Sequence, residues 1–160
     1  MKSSSKYLSK PHEVLEIIVR RLDPLLNPHG FTFRVEHNSI SSGGPFENGF
    51  YSCPPVQISL IVRDDKLGCP NYAWNDFHTG HNELIERLGR VKDSVLRFDD
   101  TFDKWKLVTT DGRDVIDAFV ADLQTIILPA ITSEPDLFQR AVVDAHNVRL
   151  AKWRSNIGAT

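Results

Sequence analysis

Apolar residues recur along the chain in helical stripes at both ends and in alternating runs between them. Val14, Leu15, Ile18, Leu22, Leu25 and Leu26 follow one another at three- and four-residue steps, which predicts an amphipathic helix starting near Pro11. Asp23-Pro24 falls near its end, where the missing N–H and the ring predict a kink or restart. Asn27-Pro28-His29-Gly30 then stops the helix. Phe31, Phe33 and Val35 alternate with Thr32, Arg34 and Glu36, the period of a half-buried strand. Residues 39–49 read as a loop, with Asn48-Gly49 as a turn dipeptide. A short strand at Phe50-Tyr51-Ser52 meets Pro54-Pro55, which predicts an edge or a bulge. Val56, Ile58, Leu60 and Val62 alternate with Gln57, Ser59 and Arg63, and this is the clearest strand; only Ile61 breaks the pattern.

Residues 64–75 read as irregular, with Gly68, Pro70 and Asn71 as breakers. Thr79 or Asn82 is the expected cap of a helix through Leu84, Ile85 and Leu88 to Gly89. Two short β-like segments, 94–98 and 105–109, flank the acidic stretch 99–103. Asp111 or Asp114 is placed to cap a helix whose stripe is Ile116, Phe119, Val120, Leu123 and Ile127. Pro129 marks its end or a kink, and Ser133-Glu134-Pro135-Asp136 starts a last helix carrying Phe138, Ala141, Val142, Ala145 and Val148. The expected fold is α+β: an antiparallel sheet of about four to five strands with helices packed on one face and a helical C-terminal third. Residues 1–10 read as a flexible Ser/Lys-rich tail, and residues 11–155 as a single domain.

Charge changes this picture only by exclusion. The 160 residues hold 19 Lys+Arg against 21 Asp+Glu, a net −2, which argues against a generic nucleic-acid binder. A local basic patch remains, formed by Arg140, Arg149, Lys152 and Arg154 on the last helix beside Trp153. It reads first as a polar outer face. An exposed Trp153 would instead favour an oligomer or partner surface. Cys53 and Cys69 cannot form a disulfide framework, and no apolar signal core follows the N-terminal lysines. The apolar run 126–131 is far shorter than a membrane span. A cytoplasmic protein with no membrane partner is therefore expected.

The densest polar cluster is residues 75–83, flanked by Tyr72 and Trp74. Asp76, His78 and His81 carry donor types suited to a transition metal, and a His–carboxylate pair can also serve as general acid or base. Zinc needs three or four ligands, and no second ligand pair has recognisable spacing, so neither a metal nor any other cofactor is assigned. No nucleophile motif accompanies the cluster, and no catalytic residue is assigned. The acids at 64–65 and 99–103 do not fit a calcium loop, and Ser42-Gly43-Gly44-Pro45 fits no phosphate loop. A nucleic-acid reading rests only on the terminal helix and its Arg149 and Lys152, and two further readings stay open. One is a non-enzymatic binding or accessory domain that recognises a protein partner or a second copy, with Tyr72, Trp74 and Phe77 as contact residues beside Asp76, His78 and His81. The other is a small metal-dependent hydrolase using Asp76, His78 and His81.

Three segments carry a family likeness. Residues 22–33 run from helix through Gly30-Phe31 into a strand, Val56-Gln57-Ile58-Ser59-Leu60 forms a central strand, and residues 123–133 end a helix on Leu128-Pro129. Together they resemble the uncharacterised bacterial DUF4304-type small α+β domains. The resemblance covers about a third of the chain and implies a fold; it transfers no catalytic residue. Some similar small domains act as immunity or accessory proteins, which agrees with the binding reading.

Overall fold

A computed structural model describes residues 2–41, 44–98 and 107–158, with side chains for 10–36, 44–97 and 107–157. The first stripe folds as helix α1 (Lys2–Leu26), which takes in the residues expected as a tail. Pro24 lies inside its final turn without ending it. The helix continues because Leu22 and Leu26, one turn apart, are both fully buried and hold that turn against the body. A short 3₁₀ turn, Asn27–His29, follows, and Gly30 closes it at φ 90°, a left-handed conformation suited to glycine.

Six strands form the main sheet: β1 (Thr32–Ser41), β2 (Gly44–Cys53), β3 (Val56–Arg63), β4 (Lys66–Leu67), β5 (Asn71–Trp74) and β6 (Phe77–Gly80). All neighbours pair antiparallel in the order β1-β2-β3-β5-β6, and β4 pairs with β3. Three expectations change here. Asn48-Gly49 is not a turn but lies mid-strand in β2, with Gly49 opposite Val35 and Leu60. Glycine fits because a Cβ there would stand 2.5 Å from Phe33 Cζ and 2.7 Å from the Arg34 carbonyl. The loop predicted over residues 39–49 is strand at both ends: β1 runs to Ser41 and β2 opens at Gly44, and Ser42 and Gly43 lie outside the described residues. Pro54-Pro55, joined by a cis peptide bond, connects β2 to β3 as a two-residue turn, so β2 is an interior strand. Proline is tolerated there because it donates nothing to the ladder.

The stretch expected to be irregular holds two further hairpins. Asp64-Asp65 turns β3 into β4, and Asn75-Asp76 turns β5 into β6. Asn75 adopts φ 52°, which its short polar side chain tolerates. The strands escape pattern reading because each of β5 and β6 has only four residues and little alternation. Helix α2 (His81–Arg87) then starts from Gly80, so neither Thr79 nor Asn82 caps it. Strands β7 (Leu96–Phe98) and β8 (Leu107–Thr109) pair within the two predicted segments. The acidic stretch between them lies outside the described residues.

Asp114 caps helix α3 (Val115–Asp122) by accepting from the Ile116 N–H at 3.1 Å. A π-helical turn, Leu123–Ile127, leads into α4 (Leu128–Ser133) and then α5 (Pro135–Gly158). Pro129 explains the wide turn: it has no N–H for the carbonyl four residues back, and its ring crowds that turn. The stretch Val115–Ser133 has 19 residues and mean hydropathy 1.6, enough by length and composition to cross a membrane. In the fold Phe119, Leu123, Ile126 and Ile127 from this stretch are buried in the protein core.

Residues on β3 alternate strictly, with Val56, Ile58, Leu60 and Val62 inward. Tyr51 and Tyr72 flank Ile58 on the two neighbouring strands, and Trp74 stands beside Val56, so all share that face. Helix α1 covers one half of it, where the Tyr51 hydroxyl donates to Asp23 at 2.8 Å. Helix α5 covers the other half, with Phe138 against Trp74. The architecture is α+β, an antiparallel sheet with helices on one face.

Candidate functional site

The hairpin β5–β6 separates the predicted site residues by facing. Tyr72 is fully buried, and Trp74 is half-buried against Phe138. Asp76 is exposed in the turn. Phe77 is half-buried, edge-on to His146 with ring centroids 5.3 Å apart. His78 is exposed, and its backbone N–H donates to His146 Nδ1 at 3.3 Å. Partial burial, Arg149 and His146 push its imidazole pKa down from 6.5. His81, as the first residue of α2, turns into the interior.

Asp76, His78 and His81 are therefore not assembled into a site, and Tyr72 is not an exposed contact residue. The physical reason is the strand period: His78 and the buried Thr79 are adjacent and point to opposite sides. Among the described residues no group of three His, Cys, Asp or Glu side chains is placed to hold a metal ion.

His81 instead anchors a closed polar network with Tyr72, Asp122 and Ser94. Tyr72 Oη and His81 Nδ1 are 2.7 Å apart, and His81 Nε2 and Asp122 Oδ2 are 2.8 Å apart. Burial, then the nearby Cys69 and Asp122, push the Tyr72 pKa well above 10, so its hydroxyl keeps its proton and donates to Nδ1. Nε2–H then donates to the carboxylate. Ser94 Oγ donates to Asp122 Oδ2 at 2.6 Å, the Val95 N–H donates to Oδ1 at 2.9 Å, and the Leu96 N–H donates to Oδ2 at 3.3 Å. Burial would raise the Asp122 pKa. Hydrogen bonds from His81, Ser94 and the Val95 backbone outweigh that and hold it below 3.8.

A serine, a histidine and an aspartate meet here in the wrong order for nucleophilic catalysis. Ser94 bonds the carboxylate, and His81 Nδ1 already accepts the hydrogen bond from Tyr72, so no imidazole nitrogen faces the serine hydroxyl. The network ties β5, α2, α3 and the entry to β7 together. Sequence reasoning picked His81 and Tyr72 for the wrong task and missed Asp122 and Ser94. An aspartate on the stripe side of an apolar helix was the available signal for Asp122.

Among the described residues, the largest exposed apolar side chains lie elsewhere. Residues 151–157 of α5 are all exposed, with Trp153 at 61% and Ile157 at 59%. Arg149, Trp153 and Ile157 recur at four-residue steps and share one face, and Lys152 and Arg154 flank Trp153. The chain matches no protein-family model, no curated protein and no solved structure.

Proposed function

We propose that the chain is a non-enzymatic binding module whose α5 end engages an acidic protein partner. The observation that carries this reading is Trp153, the largest exposed apolar side chain among the described residues, one helical turn from exposed Ile157. Aromatic anchors ringed by cations are common at partner interfaces, and Arg149, Lys152 and Arg154 would complement acids around an apolar pocket. Kinship with the DUF4304-type domains belongs to the same proposal. It is supported by residues 22–33, which fold as helix end, Gly30 and β1.

A photo-crosslinking amino acid at position 153, used in the source cells, tests the reading. One discrete protein adduct is expected, lost with Ile157→Asp and weakened when Arg149 and Lys152 are neutralised. Absence of an adduct, or an adduct indifferent to Ile157, overturns it. Sedimentation of the purified chain separates the other occupant: concentration-dependent dimerisation through Trp153 would replace the acidic partner with a second copy.

A further inference from the structure

A second concave surface lies far along the chain from α5, between α1 and the β1–β2 edge of the sheet. Its volume is about 330 Å³, within the range of small-ligand pockets. Leu15 and Val19 from α1 and Phe33 and Val35 from β1 form apolar walls. Glu47 of β2 lines it too and is only 1% exposed. A carboxylate removed from water requires a cation or several donors. Among the described residues its hydrogen-bond partner is His12, whose Nδ1 stands 2.9 and 3.1 Å from the two carboxylate oxygens. The His12 side chain is 48% exposed and also touches Glu16 through Nε2 at 3.0 Å. The imidazole therefore lines the groove between Glu16 and Glu47, and its release from both would leave the Glu47 carboxylate facing the cavity.

Charge at the groove is acidic on balance once His12 is neutral. Among the described residues lining the groove, Glu16 and Glu47 face one fixed cation, Arg20, which is itself only 3.9 Å from Glu16 and largely in solvent. An apolar stem with a compact cation at its tip fits this arrangement. The stem covers Leu15, Val19, Phe33 and Val35, and an ammonium group donates to both oxygens of Glu47.

We propose that this groove binds a small free primary alkylamine as its ammonium form, with the ammonium replacing His12 at Glu47. An anion would meet two carboxylates. A neutral alcohol would leave the buried carboxylate short of a full charge partner.

Titration of the whole chain at pH 7.5 with n-hexylammonium, n-hexanol and hexanoate, followed by backbone-amide NMR, tests this. Saturable shifts at β1, β2 and α1 are expected for hexylammonium, at least ten-fold weaker binding for hexanol, and none for hexanoate. Glu47→Gln should reduce hexylammonium binding at least ten-fold. If that variant does not fold, His12→Ala decides: it removes the competitor, leaves Glu47 in place, and should tighten binding several-fold. Equal binding of alcohol and amine overturns the proposal, as does unchanged or weaker amine binding in His12→Ala. Tighter binding of Nα-acetyl-lysine amide than of hexylammonium would also overturn it, because the groove would then read a peptide-borne lysine.

Discussion

His81 and His12 each meet a carboxylate at nearly the same distance, 2.8 Å to Asp122 and 2.9 Å to Glu47, yet the two pairs do different work. The His81 pair is enclosed. Both ring nitrogens are engaged, and Asp122 accepts from a hydroxyl, two backbone N–H groups and the imidazole. Nothing is left over to offer a ligand, so that chemistry is turned into cohesion between helices and strands. The His12 pair is open on one side, with a buried acid and a half-exposed base. Its carboxylate can exchange partners. Histidine next to a carboxylate is therefore no signature of function by itself; access to the pair decides.

The largest expected break in this comparison is Asp122→Ala. It strands Val95 N–H, Leu96 N–H, the Ser94 hydroxyl and His81 in the interior, and should cost about 3–5 kcal/mol in urea unfolding. Tyr72→Phe keeps the ring and removes one donor to His81 Nδ1, for an expected loss of about 1–2 kcal/mol by the same measurement.

The pH signs of the two pairs are opposite. His12 is raised above 6.5, chiefly by its hydrogen bond to Glu47 against a smaller cost of burial. Its contribution is complete below 6.5 and is lost as pH rises through the raised folded value. Asp122 is held below 3.8, so its contribution is complete above 3.8 and is lost as pH falls through the lowered folded value. His12→Ala should therefore flatten the stability profile on the neutral side, the pH-dependent part amounting to no more than about 1 kcal/mol because the imidazole is half-exposed. The acid limb governed by Asp122 should stay unchanged. Thermal unfolding from pH 3 to 9 reads both. The smallest effect belongs to Trp153→Ala, expected within about 0.5 kcal/mol of the parent because the side chain packs on little. A larger loss would mean that α5 uses Trp153 for its own stability.

Much of the scaffold was legible before any coordinates. The stripe from Val14 to Leu26 and the alternation of Val56, Ile58, Leu60 and Val62 are strong, because long elements repeat their period several times. The Asp114 cap and the Pro135 helix start were legible as local chemistry. The hairpin β5–β6 was not, since four residues give a period of two little room. Gly49 misled because glycine serves turns and close strand contacts alike, and only Phe33 lying across it tells which. The π turn before Pro129 was half legible: the proline predicts a disturbance and leaves its form open.

For the site the balance tips the other way. Along the chain, histidines and carboxylates crowd residues 75–83, cations gather on the last helix, and apolar surface suffices for a core. It takes packing to pair His81 with Asp122, which lies 41 residues further along the chain, and Glu47 with His12, 35 residues away. Periodicity is a property of neighbours in sequence, and burial of a polar side chain is a property of neighbours in space. Which imidazole is enclosed and which can be reached depends on how α1, α3 and the sheet pack, and no local pattern encodes that.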